Sequence, residues 1–232
     1  MSNKYLQPKK YFYYLVKKIK SLWSNLENGG ERVDIVFTSS SLLDENEKCH
    51  LKRYQFASTY IKASDVVADF ACGTGYGSAI LAEKATRVIG IDIDKKVVDA
   101  ISEKYAHTTN LSFVATDLLE IDFRNQFDCI VSFETIEHFT EADIVKLLAL
   151  FHGALKSGGT LIMSTPYMQK DDKQALRAGF HKTFFINEEK ITTWLTQLGF
   201  GQLDFYYQSY AWPAVSKADV EKDFVICVAR KA

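Results

Sequence analysis

The chain has 232 residues, of which 47% are hydrophobic and 25% charged. That is enough for one large domain or two small ones with a substantial core, and it excludes a disordered segment, a collagen-like repeat and a disulfide-stapled mini-protein. The formal net charge of −1 is unevenly spread, since residues 1–24 hold six lysines and no acid and leave −7 on the remainder; an acidic body argues against nucleic acid as a partner, because backbone binding needs clustered Lys and Arg.

In chain order, residues 8–26 are predicted as an amphipathic helix. Pro8 suits a first turn. Phe12, Leu15, Val16, Ile19, Leu22 and Trp23 recur on one face, Lys10, Lys17 and Lys20 lie off it, and Asn28-Gly29-Gly30 stops it. A basic helix with an aromatic-rich apolar face reads in three ways: peripheral contact with an anionic membrane, a lid over a bound acceptor, or packing on the chain's own core or on a second subunit of a homodimer. The apolar run Tyr11 to Val16 is short, ends at Lys17-Lys18 and lacks a small-residue cleavage site, so secretion is not expected. No stretch reaches the ~18 apolar residues of a membrane span. A second helix is predicted from Glu45 to Ile61, carrying Leu51, Tyr54 and Phe56. Residues 1–63 thus form an N-terminal helical lid or docking segment, and residues 64–232 the main domain.

From residue 64 strand and helix alternate. Runs rich in Val, Ile and Phe occur at 66–70, 87–92, 111–116, 127–133 and 160–164, with helical patterns at 76–84, 95–105, 141–156 and 187–198. The helix over 141–156 carries a stripe of Ile144, Leu147, Leu148, Phe151 and Leu155; Thr140 with Asp143 resembles a capping box, and Ser157-Gly158-Gly159 is read as its end. Such alternation implies a doubly wound α/β sheet, mostly parallel. The last two runs, 202–209 and 223–229, have only a loop between them and should pair antiparallel, giving seven strands. Of the four cysteines, Cys129 and Cys227 sit in strands, Cys72 lies in a turn, and none forms a Cys-x-x-Cys pair with Cys49 or another. Buried reduced thiols are expected, in keeping with a cytoplasmic protein.

In such sheets ligands bind at the carboxyl ends of strands where strand order reverses. The first strand runs into Ala71-Cys72-Gly73-Thr74-Gly75-Tyr76-Gly77-Ser78. Ser78 stands where a dinucleotide fingerprint would place its third Gly, and no Gly-Lys-Ser/Thr follows, so neither a dinucleotide loop nor a P-loop is indicated. Asp92 ends the second strand, where its carboxylate can accept both hydroxyls of a ribose; Asp94 competes for that role but suits the N-cap of the next helix. Asp117 follows the third strand and can accept an exocyclic amine of adenine. The fourth strand ends in Ser132-Phe133-Glu134-Thr135-Ile136-Glu137-His138. Glu134, Glu137 and His138 offer oxygen and imidazole donors suited to Mg²⁺ or Mn²⁺, with His181 as a fourth ligand; alternatively His138 or His181 acts as a metal-free general base. Tyr206, Tyr207, Tyr210 and Trp212 line an acceptor pocket or pack the sheet edge.

The runs VADFACGTGYGS, VIGIDID, FVATDLL, FDCIVSFETIEHF and GGTLIMSTPY resemble the class I S-adenosylmethionine-dependent methyltransferases, with Ala71 where that family usually has Gly. The resemblance covers about residues 64–232 and implies a Rossmann-like fold ending in an antiparallel strand. It implies that Asp69 and Gly73, Thr74, Gly75, Tyr76 and Gly77 lie around the methionine part of S-adenosylmethionine, Asp92 at the ribose, and Asp117 and Leu118 at the adenine, with Ala71, Ile93 and Phe133 also binding the cofactor. ERVDIVF and RYQFASTYI are similar to bacterial methyltransferases encoded with surface-glycan pathways, and Glu-x-x-Glu-His with a later His resembles metal-dependent O-methyltransferases of the ubiquinone-pathway and small-RNA types. Together these imply a cytoplasmic enzyme, at the inner face of the membrane if the first helix docks there, that methylates a hydroxyl of a sugar or lipid-linked saccharide. The other readings are methylation of another small metabolite or of RNA 2′-hydroxyls, and a non-catalytic cofactor-binding protein.

Overall fold

The structure, a computed structural model, describes residues 43–171, 181–217 and 221–232; the helix predicted over residues 8–26 lies outside them. Helix α1 (Glu45–Ser58) opens the described chain on a capping box. Asp44 Oδ1 accepts from Glu47 N–H at 2.8 Å, and Glu47 Oε2 accepts from Asp44 N–H at 2.9 Å, satisfying donors that a helix start otherwise leaves orphaned. The helix stops at Ser58 rather than the predicted Ile61, where the Ser58 and Thr59 hydroxyls donate back to the carbonyls of Gln55 and Phe56 and compete with continued helix.

The alternation then follows as β1 (Val66–Phe70), α2 (Tyr76–Ala82), β2 (Arg87–Asp92), α3 (Lys95–Lys104), β3 (Leu111–Ala115), β4 (Phe127–Phe133), a 3₁₀ turn (Ile136–His138), α4 (Glu141–Ala154), β5 (Leu155–Pro166), α5 (Glu188–Gln197), β6 (Phe200–Gln208) and β7 (Phe224–Lys231). The sheet has seven strands in the order β3-β2-β1-β4-β5-β7-β6. The first five pair in parallel, and β7 runs antiparallel between β5 and β6. Side chains alternate between two cores, as strand geometry requires: Phe70, Phe127 and Ile130 meet Leu147 and Phe151 of α4 on one face, while Val67, Cys129 and Val131 meet α1 and α2 on the other. The chain winds outward from β1 and returns at β4, so the carboxyl ends of these two neighbours flank the crevice where such sheets bind ligands.

One boundary differs markedly. Helix α4 ends at Ala154, not at 156, and β5 begins at once with buried Leu155 in an extended conformation. Leu155 pairs with Phe127, and the register resumes at Thr160 opposite Cys129. Ser157-Gly158-Gly159 therefore forms an irregularity inside a strand, with Gly158 at φ 72°, instead of a helix stop; burial of Leu155 wins over the local stop signal. At Thr140 only half of a capping box forms, the hydroxyl accepting from Asp143 N–H. All four cysteines are free and buried. No helix among the described residues is long and apolar enough to cross a membrane.

Candidate active site

The loop leaving β1 carries positive φ at three alternate positions, Ala71 (61°), Gly73 (54°) and Gly75 (74°). Glycine tolerates this conformation freely, whereas alanine accepts it at roughly 1–2 kcal/mol. The loop is tied to β2: Asp92 Oδ2 accepts from Gly73 N–H at 2.9 Å, and Oδ1 accepts from Asp94 N–H at 3.0 Å. Asp94 itself caps α3 by accepting from Lys96 and Val97 N–H, so of the two candidate carboxylates Asp92 is the one at the loop. A Cβ on Gly73 would meet nothing within 4 Å among the described residues, so among them the loop opens at this point onto space a ligand can occupy. Beside it Ile93 exposes 67% of its surface. Beyond β3, Asp117 accepts from Leu119 N–H at 2.9 Å, next to buried Leu118. Open backbone at Gly73, a carboxylate and an exposed apolar side chain fit a nucleoside carrying ribose hydroxyls and a flat base.

Asp69, expected around the methionine part of the cofactor, lies in β1 just before this loop. It is fully buried, and its oxygens accept from Tyr54 Oη at 3.1 Å and Ser78 Oγ at 2.6 Å; it braces the loop from beneath. Burial, reinforced by Asp92, raises its pKa to about 7 despite those two hydrogen bonds. Thr74, Tyr76 and Gly77 continue the loop into α2. Tyr54 of α1 lies edge-on to Tyr76 at 5.4 Å and to Phe133 at 5.0 Å, and a Cβ on Gly77 would fall 2.0 Å from its ring. Gly77 therefore admits α1 to the loop.

Glu134, the residue after β4, has φ 51°. Such strain in a non-glycine residue persists only where the surroundings impose it, and here they do. Its carboxylate pairs with Arg53 Nη1 at 2.6 Å and accepts from Ser164 Oγ at 2.6 Å. Arg53, from α1, is wholly buried, donates from Nε to Gln208 at 2.8 Å and lies 4.2 Å over the Phe224 ring; its Nη2 has no hydrogen-bond partner among the described residues. Glu137, in the 3₁₀ turn, is also buried. Its Oε2 accepts from Thr165 Oγ1 at 3.0 Å, while Oε1 has no hydrogen-bond partner among the described residues. Burial and then the nearby Glu134 carboxylate hold its carboxyl well above the usual carboxylate range.

The Glu137 carbonyl accepts from Lys182 and Thr183 N–H at 2.7 and 3.1 Å, which brings the loop after β5 over the turn. His181 thereby meets His138 edge-on at 5.0 Å, and donor atoms of Glu137, His138 and His181 lie within 4.8 Å of one another. Three of the four predicted metal ligands converge; Glu134 does not join them, because Arg53 and Ser164 draw its carboxylate away. The orphaned buried Oε1 and the mixed imidazole–carboxylate donor set fit a divalent ion. The nearby tyrosines divide. Tyr206 bonds Tyr60 at 2.9 Å and packs on Phe56, and Tyr207 donates to Glu188. Tyr210 covers Phe224, and Trp212 is 57% exposed. Arg53, Ser164, Thr165 and Gln169 are not marked out individually by any motif in the sequence, and Tyr54 is marked only as a residue of the second helix; the run RYQFASTYI points to the right helix without giving Arg53 and Tyr54 these contacts.

Residues 67–159 match the family model described as a methyltransferase domain. The chain is 30% identical over 149 residues, 63% of its length, to a protein of Mycolicibacterium smegmatis named "Probable S-adenosylmethionine-dependent methyltransferase", covering 54% of that protein. It is 34% identical over 98 residues, 40% of its length, to the carboxy-S-adenosyl-L-methionine synthase of Helicobacter hepaticus, covering 41% of it. The chain thus spans about half the length of the relatives it matches. Among solved structures, the N-methyltransferase NodS of Bradyrhizobium japonicum, crystallised with S-adenosyl-L-homocysteine, superposes with TM-score 0.64 at 17% identity over 91% of this chain and 97% of that one. The [4+2]-cyclase SpnF superposes equally well, with TM-score 0.64 at 14% identity over 96% and 94%. These two likenesses establish the fold alone.

Proposed function

We propose that the chain transfers a methyl group from S-adenosylmethionine to a hydroxyl of a sugar or lipid-linked saccharide, with a divalent ion assisting at Glu137, His138 and His181. The observation that carries this reading is the joint placement of the open Gly73 loop with Asp92 at the end of β1 and β2 and the Glu137–His138–His181 group at the end of β4. β1 and β4 are parallel neighbours, so the two groups belong to the same end of the sheet. When bound, S-adenosylmethionine supplies an electrophilic methyl group on a positively charged sulfur. The protein's task is then to align donor and acceptor and to manage the acceptor's proton. Asp92 offers the ribose an acceptor while holding Gly73 in place. His181 shares a hydrogen bond through Nδ1 with Gln169 Oε1; an amide oxygen there requires the proton on Nδ1 and leaves Nε2 as the basic nitrogen. A divalent ion on the group would lower the pKa of a nearby hydroxyl. The saccharide class follows from the resemblance to glycan-pathway methyltransferases.

A methyl-transfer screen with labelled S-adenosylmethionine against sugar nucleotides and lipid-linked glycans tests the reading. Label should enter a saccharide hydroxyl, fall away with a chelator and return with Mn²⁺ or Mg²⁺. Transfer only to amines would overturn the acceptor class. Full turnover in excess chelator would leave His138 or His181 acting without an ion.

A further inference from the structure

We infer that Arg53 sets the composition of the ion site, holding Glu134 out of it so that the ligands are two imidazoles and one carboxylate. The inference rests on the metal-assisted reading above and goes beyond it. The Glu-x-x-Glu-His spacing offers two carboxylates one turn apart, yet the fold treats them oppositely. Glu137 is buried beside His138 and His181 with one oxygen unpartnered among the described residues. Glu134 is turned by its positive φ toward α1, where a fully buried guanidinium and the Ser164 hydroxyl bind one of its oxygens. Arg53 is in turn fixed by Gln208 and the Phe224 ring, so this buried cation comes from a helix outside the alternating strand–helix unit. Its position neutralises the nearer carboxylate and reserves it. An ion held by one carboxylate and two imidazoles sees a softer donor set than one held by two carboxylates, and relative preference moves from Mg²⁺ toward Mn²⁺ and Zn²⁺.

The test is calorimetric titration of the full chain with Mn²⁺ alone, which reads binding without turnover. Glu134→Gln keeps the shape and the Ser164 bond, so Mn²⁺ affinity should stay within about threefold of wild type; Glu137→Gln should lose about tenfold or more, as altered metal-site partners do. Arg53→Met should release Glu134 and tighten Mg²⁺ proportionally more than Zn²⁺, a change that the double variant Arg53→Met/Glu134→Gln removes. If Arg53→Met does not fold, the Glu134→Gln and Glu137→Gln comparison decides alone. Equal losses in those two variants would make Glu134 a ligand and overturn the inference while leaving metal assistance intact. No Mn²⁺ binding by wild type would instead remove metal assistance. In that case binding that appears in Arg53→Met would still support the withholding role, and its absence there would overturn both.

Discussion

Two glycines of one loop have opposite reasons for being glycine. At Gly77 the space a Cβ needs is filled by the Tyr54 ring. Gly77→Ala is overpacked and should lose about 1–3 kcal/mol in urea denaturation. At Gly73 the space is empty but φ is 54°. Gly73→Ala should lose only roughly 1–2 kcal/mol of stability and far more of its cofactor affinity, because the new methyl group points into the opening; calorimetry with S-adenosylmethionine separates the two variants. Asp69 gives a prediction in pH. Tyr54, Ser78, Cys72 and Asp92 face it, and its carboxyl titrates near 7 when folded against 3.8 as the unperturbed value. The folded state therefore holds this proton more tightly. The resulting stability is fully present below the unfolded value and is lost as pH rises through about 7. Relative to wild type, Asp69→Asn should gain about 2–3 kcal/mol between pH 5 and pH 8. Parallel curves for the two proteins in denaturant titrations at both pH values would show that Asp69 does not change charge in that window.

At the scale of elements, the strands and crossovers were legible because buried parallel strands leave dense Val, Ile and Phe runs, and because Gly, Asp and Asn punctuate them. Helix α1 was legible as a helix but not as part of the site. Its work is done by Arg53 and Tyr54, and a helical Arg reads from sequence as a solvated charge; its partners Glu134, Ser164 and Gln208 lie 81 to 155 residues further along. The same long-range packing explains the misread end of α4, where a Ser-Gly-Gly stop signal gave way to a strand already pairing at Leu155. Because α1 braces both halves of the site, its cap should matter to both. Asp44→Ala removes the side-chain acceptor for Glu47 N–H and should destabilise the helix by about 1 kcal/mol. Hydrogen exchange should then rise through α1 while amides of β1 and β4 stay protected. Faster exchange confined to residues 44–48 would mean that packing by Arg53 and Tyr54, rather than the cap, holds the helix down.

The whole molecule places chemistry at one end of the sheet and leaves its charge to choose the ligand. The spacing of the glycine-rich turn already departs from a dinucleotide fingerprint at Ser78, while the fold itself does not decide, since the same architecture carries proteins as different as NodS and SpnF. The carboxylates do. Asp69 lies beneath the loop and Asp92 is bonded to it, and Ser78 Oγ is committed to Asp69. A pyrophosphate approaching the start of α2 would meet the negative field of these acids, whereas the cationic sulfur and amine of S-adenosylmethionine meet a complementary one. Ligand that binds only the folded state stabilises it by about 2.7 kcal/mol at a hundredfold excess over Kd. For a domain of this size S-adenosylmethionine should therefore raise Tm by roughly 5–10 °C. NAD at the same concentration should leave it unchanged, and Gly73→Ala should abolish the shift. An equal shift with NAD would mean that the backbone of the turn, and not its flanking acids, selects the ligand.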